Sequence, residues 1–359
     1  MRIDKLRQIM PEKGIDLMVV TKPLDIEYLC SASCSSGMLF VLQQSLVLLT
    51  DYRYTAQVRD SVAGITVKDI ANDPQNPYAE IARIVSGYER PRIGADGNLE
   101  LLSQLIPNAE IRSQTGIVSS LRASKDAQEI EFISRACSIT DSAFEDMLNW
   151  LRPGMTEREV AIRLEHAMKL DGADQPMAYD IVVASGKRSA YPHGKATGKV
   201  IEAGDILLLD FGCRYEGYCS DLSRTLFMGR ATTQQQKVYE TVISAQLSCI
   251  DMLRSGIDSA SIDNAAFEYC VVSGYGEQYG RGVGHGVGLT VAEAPTLLDA
   301  PGFSVSVPIP EDAVLTIEPG IYIEGQFGVR VEDVLHVTAS GSVNLVHATK
   351  DLIELGYTE

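Results

Sequence analysis

Two stretches of this chain, GDILLLDFGCRYEGYCSDLSRTLFMG at 204–229 and LTIEPGIYIEGQFGVRVED at 315–333, each carry two carboxylates on extended runs separated by a short turn. Antiparallel pairing around a turn at about Tyr215–Gly217 sets Asp210 nearly opposite Asp221, and a turn near Glu324–Gln326 makes Glu318 face Glu332. Carboxylates held that close repel, and one of each pair must take up a proton unless a cation lies between them. A cation is the simpler solution. Two acidic ribbons in one domain give a pseudo-symmetric cage of hard oxygen ligands, of the kind that holds two ions roughly 3.5–4 Å apart in two-metal hydrolases.

An imidazole to complete the cage is available in YGRGVGHGVGLT at 279–290, where glycines alternate with larger residues. The bare glycine face lets neighbouring backbone approach closely, while His285 projects from the other face. The glycine spacing does not match GxGxxG, so a phosphate loop is not expected. Taken singly, each acid has a structural explanation; taken together, Asp210, Asp221, His285, Glu318 and Glu332 point to metal binding. Glu318, touching both metal and water, would double as the general base. Arg330, two residues before Glu332, falls on the same strand face, where its planar fork would orient carboxylates or substrate. Arg281 shares the His285 face if the segment is extended, and would anchor a substrate carboxylate from the pocket wall. His166, His336 and His347 read as structural or surface histidines.

A length of 359 residues exceeds what one core usually serves, so two domains are expected, with a boundary near 120. Residues 1–120 alternate helical and strand-like stretches, such as Ile15–Val20 and Gly37–Thr50, in the manner of a small α/β domain. Residues 121–359 hold all the candidate chemistry, with helices expected over Asp126–Leu151, from Thr156 as N-cap to Leu170, and over Thr232–Arg254 and Ser259–Ser273. The formal charge of −17 and the absence of a basic run argue against a nucleic-acid partner. The most apolar stretch, Met38–Leu49, is broken by Gln43, Gln44 and Ser45 and falls short of a membrane helix. The start lacks a signal peptide's apolar run and cleavage site, so a cytoplasmic location is expected. The seven cysteines contain no CxxC pair and read as reduced thiols; Cys213 and Cys219, close to the aspartates, read as buried rather than as soft ligands.

The four acids and the histidine, in this order, resemble the ligand set of the pita-bread metallopeptidases, the family of aminopeptidase P, prolidase, methionine aminopeptidase and the metal-free creatinase. The resemblance covers nearly the whole chain. It includes Leu121-Arg122, Lys125 and Glu129-Ile130, then Ala184-Ser185-Gly186-Lys187-Arg188-Ser189-Ala190-Tyr191-Pro192-His193-Gly194. Lys13-Gly14-Ile15-Asp16, Ile26-Glu27-Tyr28-Leu29 and Thr50-Asp51-Tyr52-Arg53-Tyr54 look like the creatinase-type N-terminal domain, which methionine aminopeptidase lacks. The resemblance implies an α+β protein: a small α/β N-terminal domain, then a pseudo-symmetric pita-bread domain with antiparallel sheet and flanking helices. It further implies two divalent ions (Mn, Co, Zn or Fe, with Mn foremost), a small peptide substrate, a homodimer, and His193 beside the scissile peptide to bind or polarise its carbonyl.

The activity implied is that of an Xaa-Pro peptidase, of aminopeptidase P or prolidase type. Three positions depart from the family pattern. Its pocket histidines, four residues before and seven after the metal-binding one, are Arg281 and Ala292 here, and the usual Arg after Glu-Ala-Pro is Thr296. These departures leave open a hydrolase or lyase of the same fold acting on a non-proline small amide or acid, or a non-catalytic binding protein.

Overall fold

Residues 2–70, 79–176, 180–298 and 306–356 are described by a computed structural model. The chain divides into two compact units, Met1–Arg122 and Ala123–Glu359. Both are mixed α and β, in agreement with the α+β class expected from the sequence. Among the described residues no helix is long and apolar enough to cross a membrane.

The N-terminal unit carries one six-stranded sheet, in the order Thr66–Asp69, Leu46–Thr50, Gly37–Val41, Leu17–Val20, Arg92–Ala95, Glu110–Ser113. Its core gathers the alternate apolar residues Leu17, Val19, Phe40, Leu49, Ile93 and Ala95 under helical cover. The apolar stretch read as Gly37–Thr50 is a hairpin rather than one strand. Gln43, Gln44 and Ser45 turn the chain, and the Leu42 N–H donates to the Ser45 carbonyl at 3.0 Å.

In the larger unit, three helices start on reciprocal caps: Asp126 with Glu129 opens Ala127–Trp150, Thr156 with Glu159 opens Glu157–Leu170, and Thr232 with Gln235 opens Thr233–Met252. Each box satisfies two N–H groups that the first turn would otherwise leave without partners. The helix Ser259–Val272 packs on Thr233–Met252 over a core that includes Val238, Val242, Leu315 and Val329. One sheet has the order Ile353–Glu354, Leu222–Phe227, Ile206–Phe211, Val182–Ser185; a second runs Glu293–Leu297, Gly284–Gly286, Val314–Ile317, Asp333–Val337, Ser342–Asn344. Both strands of the first acidic ribbon are buried at every position, as the apolar run Leu207-Leu208-Leu209 requires. The Glu332 N–H crosses to the Ser223 carbonyl at 3.1 Å, and Thr225 Oγ1 bonds both the N–H and the carbonyl of Arg330, so the two ribbons meet edge to edge.

The loop after Val182–Ser185, which carries His193, is held from below by a single carboxylate. Glu157, fully buried at a helix start, accepts from the Ser185 N–H and Oγ, from Arg188 Nε, and from the Thr197 N–H and Oγ1 at 2.6–3.1 Å. Burial opposes its charge, but the hydrogen bonds from Thr197 and Ser185 outweigh burial and hold the carboxyl below its ordinary range. Such a group adds stability that is fully present above its unfolded pKa, about 4.3, and is lost as pH falls through the folded value. Glu157→Gln is therefore expected to cost about 2 kcal/mol at neutral pH. In urea melts the gap between variant and parent should close as pH drops below about 4; a gap of constant size would show that the charge is irrelevant.

Candidate metal centre

The first ribbon closes on a tight turn. Glu216 and Gly217 take φ of +49° and +79°, the paired left-handed geometry of a two-residue hairpin loop, which fixes Tyr215 opposite Tyr218. Continued down the strands, that register pairs Asp210 with Ser223. Asp221 therefore lies two residues from the position facing Asp210, on the same face and diagonal to it, rather than nearly opposite as the sequence was read. In the second ribbon the ladder pairs Ile317 with Asp333 and Gly320 with Arg330, which sets Glu318 across from Glu332. Pro319 lacks an N–H and breaks that ladder. The backbone N–H groups of Glu318 and Glu332 turn outward instead, to the Val283 and Ser223 carbonyls.

His285 occupies the three-residue strand Gly284–Gly286, squeezed between Glu293–Leu297 and Val314–Ile317. The squeeze explains the glycines: a Cβ on Gly284 would lie 2.1 Å from the Thr316 carbonyl oxygen, and one on Gly286 2.3 Å from that of Ala294. Nδ1 of His285 is 3.2 Å from the Gly286 carbonyl, which can only accept, so in the neutral ring the proton sits on Nδ1. The Nε2 lone pair is then left facing carboxylate oxygens, 3.2 Å from Glu318 Oε1 and 3.9 Å from Asp221 Oδ2. Lone pair against lone pair is repulsive, and a cation between them reverses the sign.

Asp221, His285 and Glu332 each offer a donor atom, all within 4.8 Å of one another. Glu332 is buried, and burial together with Asp221, Glu318 and Asp210 pushes its carboxyl well above the usual range, against the pull of Arg330. Its Oε2 accepts from Ser223 Oγ at 2.8 Å, whereas its buried Oε1 meets no hydrogen-bond donor among the described residues. An orphaned buried oxygen beside an imidazole lone pair and further carboxylates fits a divalent ion. Asp210, Asp221, His285 and Glu318 line a cavity of about 780 Å³, together with His193. All five expected ligands and His193 are thus gathered at one place.

Arg330 lies behind the cluster rather than in the cavity. Its side chain is 3 % exposed and donates to Asp210 Oδ2, to Ser223 Oγ, to the Tyr322 hydroxyl and to the Pro192 carbonyl. Of the two roles read from sequence, this geometry fits the orienting of carboxylates through Asp210. Arg281 lines the cavity, but not by strand alternation, because Gly282 at φ +98° breaks the extended run. Its guanidinium pairs with the buried Asp263 at 3.1 Å, donates to Asn264 Oδ1 at 3.0 Å and stacks 4.5 Å from the Phe267 ring centre. Sequence reasoning missed Ser223, which supports Glu332, and Thr316, whose Oγ1 donates to Glu318 Oε1 at 3.1 Å. Both sit two residues from an acid, Asp221 and Glu318, so strand periodicity would have found them. Burial pushes the Cys219 thiol up to about 12 and raises that of Cys213, whose Sγ points to the Ala136 carbonyl, so both stay protonated and outside the donor cluster.

Residues 131–339 match the description Metallopeptidase family M24, and residues 2–124 match Creatinase/Prolidase N-terminal domain. The chain belongs to metallopeptidase family M24. This M24 chain is 32 % identical over 359 residues to an Xaa-Pro dipeptidase of Pyrococcus horikoshii, covering 98 % of each. Its fold superposes on an Xaa-Pro dipeptidase from Bacillus anthracis with a TM-score of 0.89 at 34 % identity, covering 98 % of both chains. It also superposes on an X-Pro aminopeptidase from Thermotoga maritima with a TM-score of 0.87 at 31 % identity, covering 98 % of this chain and 99 % of that one. The M24 chain is a metallo-exopeptidase that works with divalent metal ions.

Two outcomes test this centre. Divalent ion at a hundredfold excess over its Kd should stabilise the chelator-treated protein by about 2.7 kcal/mol, seen as a rise in Tm; no rise with any ion would refute the site. Arg281→Ala should cost about 3 kcal/mol in denaturant melts, because it removes the guanidinium paired with the buried Asp263 carboxylate.

Proposed function

We propose that this M24 enzyme is a dinuclear Xaa-Pro peptidase, of dipeptidase or aminopeptidase P type, which cleaves the bond between an N-terminal residue and proline. The observation that carries the reading is the convergence of the Asp221, His285 and Glu332 donors within 4.8 Å, beside a cavity that Asp210 and Glu318 also line. Full-length relatives named Xaa-Pro dipeptidase support the substrate class. Asp210, Asp221, His285, Glu318 and Glu332 are the ligands. A mostly carboxylate set with a single imidazole suits Mn best, with Co, Zn and Fe as alternatives. The ions supply Lewis acidity and a water acidic enough to react near neutral pH.

The chain's own residues do the rest. Glu318, half-buried at the cavity wall and steadied by Thr316, takes a proton from the attacking water and returns it to the leaving proline nitrogen. His193 donates a hydrogen bond to the scissile carbonyl oxygen as charge develops there. Arg330 holds Asp210 in place from behind. Gly282, Val291 and Ala292 give the cavity an uncharged patch of lining, which suits a proline ring.

The test is hydrolysis of Ala-Pro against Ala-Pro-Ala by chelated enzyme reloaded with Mn, Co or Zn. Turnover should vanish on chelation, return best with Mn, and fall about a thousandfold in Glu318→Gln. Enzyme with both sites filled that leaves both peptides intact would overturn the reading. It would then favour another small amide or acid as substrate, an outcome that Ala292 and the tethered Arg281 in the wall would accommodate.

A further inference from the structure

Two cationic chains line the cavity, Arg281 and Lys195, and they stand in different states. Arg281 is tethered to Asp263 and Asn264 and stacked on Phe267, so its charge already has a buried counter-charge. Lys195 is anchored at its backbone and exposed at its tip. Its residue bridges Val182 in antiparallel fashion, and its carbonyl accepts from Arg188 Nη2 at 2.6 Å, with Arg188 itself held by Glu157. The side chain beyond is 73 % exposed and its ammonium meets Asp180 at 2.6 Å, a partner that is 67 % exposed and lines the same cavity. An ion pair so open to water contributes little and is easily exchanged for another anion.

We propose that Lys195 anchors the free carboxylate of a dipeptide and so makes the site a dipeptidase in preference to one for longer chains. The proposal rests on the placement of His193 at the scissile carbonyl given above. His193 lies two residues before Lys195, so their Cα atoms are at most about 7 Å apart. In a dipeptide the carboxylate carbon follows the scissile carbonyl carbon by three bonds, and the four-carbon stem of lysine spans what remains. In a longer peptide the same place holds an uncharged amide carbonyl, which gives the ammonium no ion pair. Asp180 competes for Lys195 until substrate arrives, which gives the two residues opposite effects on affinity.

The experiment compares kcat/KM on Ala-Pro and Ala-Pro-amide for Mn-loaded parent, Lys195→Met, Lys195→Arg and Asp180→Asn. The parent should favour the free acid by about tenfold, the size of one charge-assisted contact. Lys195→Met should bring that ratio near one through KM rather than kcat, Lys195→Arg should restore most of it, and Asp180→Asn should raise it by about two- to threefold. A ratio unmoved by Lys195→Met, or a parent without preference, overturns the anchor. Calorimetry of L-proline against L-prolinamide separates this result from failure of the peptidase reading. Carboxylate-dependent binding that Lys195→Met abolishes, in a protein that cleaves neither peptide, sustains the anchor and sinks the proline-specific activity. Equal binding of the two ligands to the parent sinks the anchor whatever the turnover.

Discussion

Negative charge drawn together out of water is the constraint on which the larger unit depends. Asp210, Asp221 and Glu332 are each less than 10 % exposed, Glu318 stands beside them, and the carboxyl of Glu332 is driven well above its ordinary range by burial and by the other three. Arg330 offsets part of this charge from behind, through Asp210. The remainder is what a divalent ion neutralises, and the orphaned Oε1 of Glu332 with the exposed lone pair of His285 mark where it would sit. Stability and metal binding are thus coupled at one point: ions held here would also relieve the repulsion built into the fold.

Holding such a cluster open demands a stiff frame. The frame consists of two ribbons joined through Ser223, Thr225 and Arg330, with Ser223 and Thr316 each donating a hydroxyl to a neighbouring acid. Arg224, 1 % exposed, ties the frame to the C-terminal segment. It donates to the Ser223 and Glu332 carbonyls on one side, to Asp333, and to the Ala348 and Thr349 carbonyls on the other. Asp141 closes the circuit by accepting the N–H groups of His347 and Ala348. These linked hydrogen bonds, made out of water, hold the charges above them in position.

The cavity wall shows how substitutions at two pocket positions can leave a metal cluster untouched. A guanidinium at 281 would add a strong positive charge to the pocket, but Asp263, one helix away, neutralises it, and Phe267 covers its face. Ala292 leaves space at the same wall. The same cavity is lined by Lys195 and Asp180, an exposed ion pair from segments on either side of the strand Val182–Ser185, whose end Glu157 fixes through Ser185 and Thr197.

Much of this was legible in the order of residues. The two acidic ribbons, the glycines that admit close backbone around His285 and the reciprocal helix caps are local patterns, each set by short-range sterics or hydrogen bonding, and the sequence determines them by itself. Tertiary structure decided what depends on register and on distant partners. A two-residue turn at Glu216-Gly217 moved Asp221 to a diagonal position, and an aspartate on a separate helix took the charge of Arg281. The burial of Arg330 turned it toward Asp210, and a bridge between Val182 and Lys195 brought an unremarked lysine to the cavity. Side-chain roles of that kind are fixed by which charges meet out of water, and spacing along the chain carries no record of that encounter.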